Sequence, residues 1–360
     1  MFDQIKKQID ISLEQFLEKV KREYKLRLVN PILYESIKEF SLREGKRLRP
    51  LLLILSYKGY SPNRRKLPSS FYYAATCIEL LHNFMLIHDD IIDRSSLRRG
   101  KPTLHRILSR VTKTREQEKL GFDLSIIAGD IVYALAIDAF LCINESSERK
   151  EKALKYFIQT ATFTAMGEFI DTLHGVERVE AIKESDVLLN YTLKTARYTF
   201  DCPLVVGAML AGAPKSDIKK LSCIGLNIGQ AFQIQDDILG IFDSQKNIGK
   251  SILSDLAESK KTILVCHAYH KLRGVEREIF LKCFTKPKKT YRDLIAIRKI
   301  FINSGSLNYS LEEIKKRIEQ SQKIISGLAI RPEYRNLIEK CLLSPFSASK
   351  NIASQYNVRF

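Results

Sequence analysis

Apolar residues dominate two long stretches of this chain, and each stretch carries acidic residues inside its helical pattern. Residues 71–99 contain neither glycine nor proline. Ser69 and Ser70 stand before that run as N-caps, and Gly100 with Pro102 closes it. The pattern predicts a helix of about 25 residues, near 38 Å long at about 1.5 Å per residue. A second helix is predicted over residues 216–242, with Ser216 as N-cap after Pro214. Inside it Gly225 and Gly229 share one face. Each costs about 1 kcal/mol relative to alanine, which predicts compensation by close packing against a neighbouring helix. Further helical stretches read at 4–26, 31–45, 124–144, 150–173, 177–200, 256–272, 310–326 and 333–343. The basic segment 106–121 reads as an exposed loop or a short charged helix.

Composition sharpens this into an all-α expectation. The 360 residues include only 16 glycines and 10 prolines, too few for the turns of a large β protein. With 45% hydrophobic residues there is ample material for a core. No repeat or low-complexity linker interrupts it, so one domain spanning 1–360 is expected. Residues 124–143 come nearest to a membrane span, but Asp130 and Asp138 interrupt them, each costing roughly 3 kcal/mol at a bilayer centre. A helix packed in a soluble protein, with no transmembrane segment, is the expectation. Met1 leads into a polar stretch without the apolar core of a signal peptide. Seven scattered cysteines without a C-x-x-C pair fit reduced thiols and a cytoplasmic protein.

The net charge of +18 calls for anionic partners. No zinc-finger spacing, RNP-type motif or basic–aromatic face is present, so nucleic acid is not expected. Phosphorylated small molecules remain.

The chemistry lies in the acidic segments. The first is ELLHNFMLIHDDIID, residues 79–93, where Asp89 and Asp93 lie four apart on one helix face. At about 6 Å and an effective dielectric near 20, their repulsion is on the order of 3 kcal/mol. Asp90 has Arg94 four residues on, whereas no cation lies three or four residues from Asp89 or Asp93. Paired carboxylates of this kind suit Mg²⁺. RSSLRRGKP follows at 94–102, with Arg98 and Arg99 suited to phosphate oxygens. The second segment is GQAFQIQDDILG, residues 229–240, followed by Lys250 and by SDLAESKKT at 254–262. Gly249, Lys250 and Ser251 do not make a P-loop, because Ser244 stands where its first glycine is needed.

These two segments resemble the paired motifs of the trans-isoprenyl diphosphate synthases. GKRLRP at 45–50, Gly129 with Asp130, Gly167-Glu168 with Asp171, and Lys194-Thr195 follow the same family's order. The resemblance covers roughly residues 40–265 and is greatest to archaeal-type geranylgeranyl diphosphate synthases. Two positions depart from the family. Gly240 replaces the last aspartate of the second D-D-x-x-D motif, and Glu168 stands where glutamine is common.

The resemblance implies a single-domain fold of about ten core helices around a deep central cavity, paired as a homodimer. It implies 1′-4 condensation of isopentenyl diphosphate with dimethylallyl, geranyl and farnesyl diphosphates. Asp89, Asp93, Asp236 and Asp237 would hold three magnesium ions. Arg98, Lys194, Lys250 and Lys260 would grip the allylic diphosphate, and Lys46, Arg49, His82 and Arg99 the isopentenyl diphosphate. Thr195 and Gln233 would stabilise the carbocation, with Lys194 beside them. Phe84, five residues before Asp89, would stop the chain at C20, although at 100° per residue it points about 140° away from Asp89. Met85 and Leu81 lie nearer the Asp face and would share the task. The alternatives are a C15 product, a C25 or longer one, or a non-catalytic regulatory subunit. A class I terpene cyclase lacks support, since its N-D-x-x-S-x-x-x-E pattern is missing. His267 and His270 are read as structural, and no role is assigned to the tail 331–360.

Overall fold

The computed structural model describes residues 1–62, 67–111, 113–242, 256, 259–356 and 358. In chain order its first helices are α1 (Phe2–Glu23), α2 (Leu26–Val29), α3 (Pro31–Ser41), α4 (Leu48–Tyr60), α5 (Tyr73–Ile92), α6 (Leu104–Leu108), α7 (Gln117–Leu141) and α8 (Ser147–Val176). There follow α9 (Glu184–Tyr191), a π-helix (Thr192–Asp201), α10 (Cys202–Ala211) and α11 (Lys215–Phe242). The C-terminal set is α12 (Ile263–Lys271), α13 (Gly274–Thr285), α14 (Tyr291–Asn303), α15 (Ser306–Ser326), α16 (Pro332–Leu343) and α17 (Ser347–Gln355). Among the described residues the one sheet is a two-residue ladder, β1 (Leu97–Arg98) against β2 (Lys101–Pro102). The protein is all-α, as its pattern predicts.

The chain divides into two compact units. Met1–Tyr156 and Pro203–Ala213 form the first, and Phe157–Cys202 with Pro214–Phe360 the second. In the first unit α1 buries Ile5, Ile9, Leu13, Phe16, Leu17 and Val20, a stripe at three- and four-residue spacing. Asn30 caps α3, its Oδ1 accepting from the N–H groups of Ile32 (2.9 Å) and Leu33 (3.3 Å), with Pro31 at the first helical position. α4 buries Leu51 through Leu55 without a break. It donates the Ser56 hydroxyl to the Leu204 carbonyl of α10 at 2.6 Å.

α5 packs along α7. α7 is the one helix among the described residues long and apolar enough to cross a membrane by length and composition. It buries Ala128, Val132, Leu135, Ala136 and Ala139 and exposes Ile126, Ile127 and Leu141.

Several boundaries differ from the expectation. The helix expected over 71–99 begins with a 3₁₀ turn at Ser69–Tyr72 and ends at Ile92, because Arg94 turns left-handed (φ 51°). Arg99 (φ 54°) and Gly100 (φ 73°) then form the two-residue turn of the β1–β2 hairpin. The stretch 177–200 splits at Ile182 and Lys183, whose backbones are extended, and Asp186 accepts the Lys183 N–H at 3.0 Å. α11 starts at Lys215, one residue before Ser216, with the Pro214 carbonyl accepting from Asp217 and Ile218. The segment 106–121 contains the end of α6 and the start of α7.

Candidate active site

In the first unit the site is built on α5. Its C-terminal end carries Asp89, Asp90 and Asp93, the last as C-cap with its N–H on the Asp89 carbonyl at 2.9 Å. The hairpin folds Arg98 back onto these residues. Its Nε donates to Asp90 Oδ1 at 2.8 Å and an Nη to Asp89 Oδ2 at 2.9 Å. The sequence-based pairing of Asp90 with Arg94 is therefore replaced by one with Arg98, and Asp89 does have a cation, from outside its own helix. Asp90 is closed off from solvent, while the Asp89 side chain keeps 22% of its exposure.

Two turns earlier on α5, His82 is buried. Burial holds its pKa well below the imidazole range, and Arg49, Arg99, Arg98 and Arg47 push it the same way. Burial and these arginine charges both disfavour the protonated form of the imidazole. Lys46 is exposed on the loop before α4, and Arg49 lies half-buried in the first turn of that helix. Arg99 Nη1 donates to the Glu44 carbonyl at 2.9 Å. Leu81 is buried, Phe84 and Met85 half-buried. The Phe84 ring rests against Tyr133 of α7 (centroids 4.9 Å apart) and against His88 (4.7 Å).

In the second unit α8, the π-helix and α11 meet. The Lys194 ammonium sits between Asp171 Oδ2 (2.6 Å) and Glu168 Oε2 (3.0 Å). Asn190 donates to the other Asp171 oxygen at 2.8 Å. Thr195 donates its hydroxyl to Gln233 Oε1 at 2.7 Å, and Gln233 Nε2 donates to Asp237 Oδ1 at 3.0 Å. The Tyr191 hydroxyl donates to Asp237 Oδ2 and accepts the Ile263 N–H at 3.0 Å. Burial pushes Asp237 up to about 7, against the opposing pull of Tyr191, Gln233 and Lys260. Both Asp237 oxygens are thus committed inward, while Asp236 is exposed.

Close packing explains the glycines. A Cβ at Gly229 would lie 2.3 Å from Ala196 Cα, at Gly225 2.4 Å from Asp201 Cα, and at Gly167 2.4 Å from the Lys194 nitrogen. The neighbour expected beside Gly225 and Gly229 is the π-helix itself. Gly240 is buried in α11. Lys250 lies outside the described residues, and Lys260 just precedes α12. His267 stacks on Tyr309 (4.3 Å) with its Nδ1 3.0 Å from the Ser306 hydroxyl, a packing role.

Sequence reasoning misses Arg47, Glu79, Asn190, Tyr191 and Tyr133. Each works through a partner distant in sequence, as Tyr191 does through Asp237. The one local hint is Glu79, three residues before His82 in an apolar run.

The family model for polyprenyl synthetases matches residues 30–300. The chain is 35% identical to a geranylgeranyl diphosphate synthase of Sulfolobus acidocaldarius over 291 residues, 79% of this chain and 81% of that one. It is 33% identical to a geranylfarnesyl diphosphate synthase of Aeropyrum pernix over 305 residues, 83% of this chain and 88% of the relative. Among solved structures, a geranylgeranyl pyrophosphate synthase from Corynebacterium glutamicum, complexed with isoprenyl diphosphate and magnesium, superposes with a TM-score of 0.87. Identity to it is 26%, covering 97% of this chain and 99% of that one. The fold is the all-α isoprenoid synthase fold, and the chain belongs to the polyprenyl synthetase family.

Proposed function

We propose that this chain is a magnesium-dependent trans-prenyltransferase that condenses isopentenyl diphosphate with allylic diphosphates and releases geranylgeranyl diphosphate. The observation that carries this reading is the layout of α5. One helix ends in the carboxylates Asp89 and Asp93, seven and eleven residues beyond a buried His82 whose charged form is disfavoured by burial and by the charges of four arginines. Such a helix offers a cation site and an anion site side by side.

In the reaction the allylic C1–O bond breaks and diphosphate departs with the electron pair. The isopentenyl double bond supplies the new carbon–carbon bond, and a proton is lost. Asp89, Asp93 and Asp236 offer only oxygen donors, and Asp236 is exposed, which fits a hard divalent cation. Magnesium, three ions by this reading, supplies positive charge against the leaving diphosphate. Lys194, fixed between Asp171 and Glu168, adds a cation whose position is set before substrate arrives. Arg98, Lys250 and Lys260 complete that allylic group. Thr195 fixes the Gln233 amide so that its carbonyl dipole can face positive carbon, and Asp237 serves as its buttress. Lys46, Arg49, His82 and Arg99 hold isopentenyl diphosphate.

Support for a C20 product comes from Phe84, whose ring is braced by Tyr133 and His88. We assign a homodimer from exposed apolar side chains on two helices: Ile126, Ile127 and Leu141 on α7, and Met166, Phe169, Leu173 and Val176 on α8. The scattered cysteines fit a reducing compartment, the cytoplasm. The test is incubation of purified protein with labelled isopentenyl diphosphate, each allylic primer and Mg²⁺, followed by chromatography of the dephosphorylated products. A C20 alcohol is expected. No product in any mixture would refute the enzyme, and C15 or C25 the length assignment.

A further inference from the structure

We propose that Arg47, clamped by Asp10 and Glu79, is a positioning residue for the isopentenyl diphosphate subsite, so that the N-terminal helix α1 tunes affinity for that one substrate. The inference rests on the assignment of Lys46, Arg49, His82 and Arg99 to that subsite.

Arg47 stands between two of those residues yet turns the other way. Its backbone is left-handed (φ 50°), its side chain only 2% exposed, and Lys46 beside it is exposed. The guanidinium donates through Nε to Asp10 Oδ1 of α1 at 2.8 Å, through one Nη to Glu79 of α5, and through the other to the Arg43 carbonyl at 3.0 Å. One planar fork thereby fixes the basic loop to two helices at once. A fork of this shape cannot slide along its partners as a lysine ammonium can.

Glu79 is buried three residues before His82, about one helical turn. Its charge also reaches Arg99, where it opposes the combined effect of burial, Arg47, Arg49 and Arg98. With one Glu79 oxygen held by Arg47, the charge of that carboxylate partly offsets the mutual repulsion of the arginine group. A second strut comes from the hairpin. Arg99 bonds the Glu44 carbonyl, and its guanidinium fills the space where a Cβ on Gly45 would be, 2.9 Å from Nη1. Residues 44–49 are thus held from three sides, and Asp10 lies before residue 30, where the family match begins.

The variants Glu79→Gln, Arg47→Met, Arg47→Lys and Asp10→Asn test this by steady-state kinetics with each substrate varied in turn. Titration calorimetry with isopentenyl diphosphate gives a second readout. Glu79→Gln and Arg47→Met should raise KM and Kd for isopentenyl diphosphate about tenfold, as expected for ligands displaced by a fraction of an ångström. Asp10→Asn, at a carboxylate 42% exposed, should raise them about threefold and keep the fold even where the buried variants do not. Arg47→Lys should fall between. The allylic KM and kcat should stay within about twofold of the parent. If both KM values rise together, or kcat falls at constant KM, Arg47 is structural only and the inference fails. If the parent enzyme makes no prenyl product, the proposed function fails with it, a result distinct from an active parent with unshifted variants.

Discussion

Asp89 has two claimants. Its Oδ2 accepts a hydrogen bond from Arg98, and the proposed reaction needs the same carboxylate for magnesium. Asp89→Asn keeps an acceptor for Arg98 but removes the charge, as Asp93→Asn does one turn on. Turnover with saturating substrates and Mg²⁺ should fall by about a hundredfold or more in either variant. Far-UV circular dichroism should show the parental helix content. The spacing of these aspartates is legible in sequence because four residues is a helix period. Arg98 is not, since its return depends on the hairpin turn at Arg99 and Gly100. Phe84 poses a similar problem. Ideal geometry points it away from Asp89, and the structure shows what it meets instead: Tyr133 on α7. Phe84→Ala should lengthen the product beyond C20, seen by chromatography of the dephosphorylated alcohols. An unchanged C20 product would shift the role to Met85 or Leu81.

The π-helix Thr192–Asp201 is the element that brings Lys194 and Thr195 to their partners. Widened helices are rare and occur mostly where side chains must be re-aimed. Gln230 braces its first residue, donating to the Thr192 hydroxyl at 2.8 Å while accepting from Arg317 of α15 at 2.9 Å. The facing glycine at 229 leaves no room for even a methyl group. Gly229→Ala should cost about 1–3 kcal/mol in a urea melt, the usual penalty for overpacking. Its kcat should fall as well, because the displaced Ala196 adjoins Thr195. The two glycines four apart already signal close packing in the sequence. The widened turn leaves no such trace, because α- and π-helices share propensities and only the tertiary partners distinguish them. α4 and α10 escape a periodicity reading for another reason: buried residues follow one another without a break through much of each, so little alternation marks the turn.

For the molecule as a whole, helical class follows from the scarcity of glycine and proline, and the order of motifs carries the family. The proposed homodimer rests instead on what stays exposed: Phe169 retains 66% and Val176 86% of their accessible surface on α8. Phe169→Asp should convert a dimer into monomers in sedimentation velocity runs, and an unchanged sedimentation coefficient would place the interface elsewhere. The left-handed arginines set a different whole-molecule property, the balance between heat resistance and catalysis. Arg47, Arg94 and Arg99 occupy backbone at φ 50°, 51° and 54°, each at a cost of about 1 kcal/mol that glycine would avoid. Arg94 is exposed and has no part in the proposed subsites, so Arg94→Gly should raise the melting temperature by about 2 °C with kcat retained. Arg99→Gly would relieve the same strain but lose the bond to the Glu44 carbonyl, so it should not raise the melting temperature and should weaken isopentenyl diphosphate binding. Heat tolerance in this enzyme can thus be increased without loss only where a strained residue has no ligand to hold.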